Sequence, residues 1–145
     1  MKGIVIYSTK RSVTKQIAQA IFDELLIDKE IKTVDEAPAD LREYDIVFAG
    51  FWMEKGKPTA DGEWFLKKLA DANVALFGAM AEPPATSLAR ESLRRNRELL
   101  HKSNLFLGGF ICQAKKDARE IERPDKGDIW GAKMFAREMY FSLRS

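Results

Sequence analysis

Four hydroxyl side chains, Ser8, Thr9, Ser12 and Thr14, stand within one short stretch and are interleaved with two cations, Lys10 and Arg11. The stretch joins an apolar run, "GIVIYS" (3–8), directly to an amphipathic one, "VTKQIAQAIFDELL" (13–26). A turn from strand to helix presents backbone N–H groups that lack intrahelical partners, together with the positive end of the helix dipole, so it binds anions. Hydroxyl donors and two positive charges in the same loop suit a phosphate group. The same residues also fit a plainer arrangement, in which Ser12 or Thr14 caps the helix and the basic pair faces water. On this stretch alone both readings stand.

No rival chemistry is written elsewhere in the chain. One histidine and one cysteine cannot build a clustered zinc site, and no Gly-x-Ser-x-Gly nucleophile turn occurs. His101 falls at the end of a helical stretch beside Lys102, where an imidazole is ordinary. Cys112 is expected to be a small buried hydrophobe. Glu120 and Glu122 belong to the polar stretch "QAKKDAREIERPDKGD" (113–128), which reads as a solvated connection, not an acid/base pair. Trp64 and Trp130 fall inside helical patterns and are expected to pack. The densest basic group, Arg90, Arg94, Arg95 and Arg97, is mixed with Glu91 and Glu98, as on a solvated helix face with local ion pairs. With a net charge of only +2, this argues against nucleic acid as a partner. No apolar run reaches the roughly 20 residues that span a bilayer, and the start of the chain shows no cleavable leader pattern. No membrane partner is expected, and the cytoplasm is the expected location.

The elements that must position the loop follow from hydropathy. A chain of 145 residues is the size of one domain, here 1–145, with a substantial core. Short apolar runs at 3–8, 31–36, 45–51, 74–79 and 105–112 alternate with amphipathic stretches at 13–26, 61–72, 87–102 and 128–143. Runs with few polar positions are typical of parallel strands covered by helices on both faces. The spacing predicts an α/β doubly wound sheet of five strands, with only about one helical turn between the second and third. In such a sheet, ligands sit at the C-terminal ends of the strands. Three loops should therefore converge: Ser8 to Thr14, Phe51 to Pro58, and Ala79 to Pro84.

Three segments resemble the flavodoxin family. The first is "YS" followed by "TKRSVT" and the helix "KQIAQAI", which is similar to the family's Ser/Thr-x-Thr-Gly-x-Thr phosphate loop. The second is "YDIVFAGFWMEKGKPTADGEWFLKKL" (44–69), similar to the region that carries an aromatic loop over the flavin ring. The third is "NVALFGAMA" (73–81), similar to the fourth strand and the loop beyond it. "GFWMEKGKP", "VALFG" and "LGGFICQAKKD" together resemble in particular a group of short bacterial members, some linked to bile-pigment reduction. The resemblance covers nearly the whole chain and implies strand order 2-1-3-4-5, with FMN as cofactor.

Carried over position by position, the resemblance assigns Ser8, Thr9, Lys10, Arg11, Ser12, Val13 and Thr14 to the phosphate. It assigns Phe51, Trp52, Met53, Gly56, Gly78, Ala79, Met80 and Ala81 to the ring. Trp52 is the expected stacking partner, and a core tryptophan is the plainer reading of the same residue. No second aromatic follows the fourth strand, so the other ring face is covered by Met80 or left open. Arg11 stands where threonine is usual, Ser12 where glycine is usual, and Val13 where a polar residue is common. If the glycine position demands a positive φ, serine there costs about 1 kcal/mol. A charge-assisted bond from Arg11 to the phosphate, about 1.5–3 kcal/mol, would offset that. Lys55 and Lys57, with Glu54, are expected beside the ring, where acidic groups are the family's habit; there they would make the doubly reduced anion less unfavourable. The implied function is an FMN-binding redox protein that carries electrons between a reductase and an acceptor enzyme. The alternatives are a flavin-free adaptor that retains the fold, and an FMN-dependent reductase of a small quinone or tetrapyrrole. The sequence leaves the oligomeric state open.

Overall fold

Residues 1–84, 86–114 and 123–144 are described by a computed structural model of the chain. Five parallel strands, β1 (Lys2–Tyr7), β2 (Asp28–Thr33), β3 (Ile46–Glu54), β5 (Asn73–Met80) and β6 (Leu105–Gln113), form one sheet in the order β2-β1-β3-β5-β6. A two-residue strand, β4 (Lys57–Pro58), pairs antiparallel with the end of β3. Without β4, the order is the 2-1-3-4-5 that the resemblance implies. The helices are α1 (Ser12–Glu24), α2 (Ala60–Lys68), α3 (Ser87–Leu99) and α4 (Lys126–Arg144).

The two faces of the sheet have separate cores, and the alternation of side chains along each strand divides them. Val5, Tyr7, Phe48, Ala75, Phe77 and Cys112 meet α1 and α4 through Ile17, Ile21, Ala132 and Phe135. Ile4, Ile6, Val47, Ala49, Val74 and Leu76 meet α2 through Phe65 and Leu66. Near the C-terminal edge, Met53, Met80 and Ile111 pack against Ala89 of α3. The central strands read as unbroken apolar runs because both of their sides are covered, as in β3, where eight of nine residues are buried.

The structure departs from the sequence reading in four places. β2 lies three residues earlier than the apolar run at 31–36 suggests, because "DKEIKT" is an edge strand whose register is set by pairing Lys2 with Asp28 through Tyr7 with Thr33. No helix forms between β2 and β3; successive turns cross there, with Val34, Leu41 and Tyr44 buried. β3 runs on to Glu54 and folds back through Lys55 and Gly56, whose φ values of 53° and 81° suit the tight turn of a two-residue hairpin. Trp64 and Trp130 are exposed instead of packed, since the buried positions of α2 are Gly62, Phe65 and Leu66, and Trp64 falls on the opposite side. Trp64 lies instead under the Lys68 ammonium, 4.0 Å from its ring centroid. Glu120 and Glu122 lie outside the described residues.

The arginine group on α3 has the character its composition indicates. Arg94 pairs with Glu91 and with Glu98, and Arg95 reaches Glu91 at 3.1 Å. His101 is exposed at the end of α3, with its Nδ1 2.9 Å from the Ser103 hydroxyl.

Gly50 of β3 permits the closest packing in the sheet. A Cβ there would stand 2.0 Å from Cε2 of Phe77, which is wholly buried and cannot move aside. Gly50→Ala should therefore destabilise the protein by about 2–3 kcal/mol, read as a lower urea midpoint with an unchanged slope.

Candidate functional site

The loop after β1 is anchored at Ser8. Its N–H donates to the Gly50 carbonyl at 3.0 Å, which ties the end of β1 to β3. Its hydroxyl donates to Asp61 Oδ2 at 2.8 Å and accepts from the Lys10 N–H at 3.3 Å. Ser8 is 1% exposed, so this hydroxyl is a fixed part of the loop floor.

Helix α1 then starts without a cap. Arg11 is the N-cap residue, with extended backbone (φ −137°); its side chain makes no capping hydrogen bond, and the first turn carries no acidic residue. The strongest local signal is Thr14: its Oγ1 is buried and has no hydrogen-bond partner among the described residues. A buried hydroxyl left unpaired costs about 1–3 kcal/mol, which a ligand at the helix mouth would recover. Ser12 has no positive φ, so the cost foreseen for serine at a glycine position does not arise.

Trp52 stands at the end of β3 on the α1 face, within the cluster that contains Tyr7, Val13, Ala79 and Cys112, and Ala81 packs on it from the loop beyond β5. The Arg11 guanidinium lies over the Trp52 ring, 4.7 Å from its centroid. The indole N–H is also buried without a partner among the described residues. Thus the loop's cation and the aromatic of the third strand meet at one place.

Strand alternation sends the other expected ring contacts elsewhere. Phe51 is buried on the α2 face beside Phe65, and a Cβ on Gly62 would come within 2.6 Å of its ring. Met53 and Met80 pack together against α3, and Gly78 leaves the space taken by the Met53 methyl, 2.5 Å from where a Cβ would stand. Met80 is therefore a core residue and does not offer itself as a ring cover. Gly56 lies at the hairpin tip under Arg95, whose Nη1 reaches the Lys55 carbonyl at 3.4 Å. Lys57 lines the same groove as Arg95 and Glu98. The hairpin thus carries Lys55 and Lys57 towards α3, and the cation over Trp52 is Arg11. Of the fifteen expected residues, the structure gathers Ser8 to Thr14, Trp52, Ala79 and Ala81 around the mouth of α1.

One residue of the site carried no signal in the sequence. Asp61, in the first turn of α2, bonds across to Ser8, and its Oδ1 also accepts from the Gly62 N–H at 3.0 Å. Partial burial pushes its carboxyl up, but the Thr59 and Ser8 hydroxyls, the Gly62 amide and the Lys10 charge outweigh burial and hold it below the usual carboxylate range. At the floor of the same face, Cys112 is pushed up to about 12, by burial first and then by the Asp128 charge, and is an inert thiol. Arg123 holds that aspartate through Nη2 at 2.5 Å, at the start of α4.

A doubly wound parallel sheet with an uncapped, cation-flanked first helix and an aromatic at the end of its third strand defines the flavodoxin-type class of α/β protein. Residues 4–126 match the flavodoxin domain family, and the chain belongs to it. It is 31% identical over 169 aligned positions, 96% of each chain, to the flavodoxin-like domain-containing protein BilS of Clostridioides difficile (strain CD3). A BilS of Clostridium symbiosum (strain WAL-14163) is 26% identical over 140 positions, covering 85% of this chain and 73% of that one. Among solved structures, oxidised flavodoxin 2 from Bacillus cereus superposes with a TM-score of 0.75 at 20% identity, over 97% of this chain and 99% of that one. A flavoprotein in complex with FMN from Lactobacillus acidophilus superposes at 0.61 and 17% identity, over 76% of this chain and 92% of that one.

The residues at the mouth of α1 fit the phosphate end of a flavin mononucleotide: an unpartnered buried hydroxyl, an uncapped helix without acid in its first turn, and two cations. The lowered carboxyl of Asp61 has a consequence for stability. A folded value below the unfolded one means that the contribution is complete above about pH 4 and is lost as pH falls through the folded value. Acid titration of Asp61→Asn by circular dichroism should show a shallower loss of stability between about pH 5 and 2 than the parent shows.

Proposed function

We propose that the protein binds FMN non-covalently and carries electrons between a reductase and an acceptor enzyme. The observation that carries this reading is the convergence of Thr14, Arg11 and Trp52: an unpaired buried hydroxyl, a guanidinium and an indole at one helix mouth. FMN, when bound, supplies one- and two-electron redox chemistry, and the protein supplies position and charge. Thr9, Ser12, Thr14 and the first amides of α1 hold the phosphate, with Lys10 and Arg11 balancing its charge. Trp52, 9% exposed and lying under the Arg11 guanidinium, is the aromatic that a flavin ring would meet once that side chain moves, and stacking there would add about 0.5–1.5 kcal/mol beyond the area it buries.

No described helix is long and apolar enough to cross a membrane. The positive charge at the loop suits an acidic partner surface better than the basic one that an acidic flavodoxin would use.

Colour gives the first test. The purified protein should be yellow, and after its ligand is stripped, added FMN should restore the colour with quenching of flavin fluorescence. A colourless protein that never quenches FMN is a flavin-free adaptor. Arg11→Glu should weaken FMN binding by about tenfold to a hundredfold, since it exchanges a favourable charged contact for a repulsive one. Arg94→Glu, on α3 among its own ion pairs, should leave the affinity unchanged; equal losses in the two variants would remove the phosphate from the mouth of α1.

A further inference from the structure

The loop that fits a phosphate also contains a fixed negative charge. Asp61 belongs to α2, yet its carboxylate bonds the Ser8 hydroxyl at 2.8 Å, a link between residues 53 positions apart. A serine hydroxyl has one proton to donate, and here Asp61 holds it. The Lys10 N–H is turned to the oxygen of the same hydroxyl. Two donors at the floor of the loop are thus engaged inside the protein, and the carboxylate that holds one of them brings its negative charge to the loop. The first turn of α2 keeps that carboxylate charged, through the Gly62 N–H and the positive end of the helix dipole. The other acid of this turn, Glu63, plays no part in the loop; it pairs with Lys67 at 3.2 Å.

We propose that Asp61 sets the charge selectivity of the loop: bonded to Ser8, its carboxylate lowers the affinity for a phosphate monoester dianion relative to the same molecule lacking the phosphate. This rests on the reading that the FMN phosphate occupies the mouth of α1. The loop therefore sets two cations, Lys10 and Arg11, against one resident anion.

Asparagine at position 61 keeps the shape and an oxygen that accepts from Ser8, and removes only the charge. Titration of the flavin-free protein with FMN and with riboflavin, followed by fluorescence, separates the two ends of the ligand. Asp61→Asn should lower the FMN dissociation constant by about tenfold and leave that of riboflavin unchanged. Asp61→Ser should shift FMN in the same direction, and Glu63→Gln should shift neither ligand. Thermal melts identify folded variants, so that either substitution at position 61 can carry the test if the other fails to fold. FMN binding that is unchanged or weaker in the folded Asp61 variants, or equal shifts for both flavins, overturns the proposal while FMN binding itself stands. A parent protein that binds neither flavin overturns the proposal and the functional reading together.

Discussion

The site depends on how firmly the end of β1 is tied to the strand beside it. Tyr7 is paired with Gly50 in the parallel register, and the next amide, that of Ser8, bonds the Gly50 carbonyl. Gly50 in turn has the Phe77 ring of β5 in the space where a side chain would stand. The packing of one glycine against one phenylalanine thus fixes β1, β3 and β5 relative to one another. The loop and α1 start from that fixed point. A misplacement of about an ångström there would separate the Thr14 hydroxyl, the Arg11 guanidinium and the Trp52 indole, whose value as a site lies in their being held together.

Around that anchor the charges oppose one another. The mouth of α1 offers partial positive charge with no acid in its first turn, and Lys10 and Arg11 add to it. Asp61 subtracts from it, kept ionised by the first turn of α2. The Arg11 contact with Trp52 has a modest value, about 0.5–2 kcal/mol depending on how dry it is. A phosphate that offers the guanidinium a charge-assisted bond of about 1.5–3 kcal/mol can therefore draw it from the ring. On the proposed function, Arg11 would have a favourable position at either end of the ligand, and leaving Trp52 would clear the indole for a flat ring.

How much of this was legible in the sequence follows from how local each feature is. The central strands were legible because burial on both faces leaves unbroken apolar runs. The hydroxyl and cation loop was legible because strand, loop and helix mouth are contiguous. β2 was displaced by three residues because an edge strand with alternating charges has its register set by its neighbour, which no local pattern records. The β3–β4 hairpin was hidden because Lys55 takes a positive φ that the sequence reserves for no particular residue, and Gly56 alone reads as any loop glycine. Trp64 and Trp130 lie in helices as their patterns indicate, but position on the helix decides burial, and both stand exposed. Asp61 could not be found at all, since its role is a bond to a residue that only the folded sheet brings near.

Strand alternation settles what a ring lying on Trp52 can touch. Side chains on β3 switch faces at every step, so Phe51 and Met53 cannot join Trp52 on the α1 side, whatever the ligand. The same rule on β5 puts Ala79 on that side and sends Gly78 and Met80 to the other. The cluster that holds the indole on this face also contains Tyr7, Val13, Ala79 and the buried Cys112, with Ala81 packed against it. A flat ring lying on Trp52 would therefore meet that mixture of aromatic and small side chains, without Phe51, Met53 or Met80.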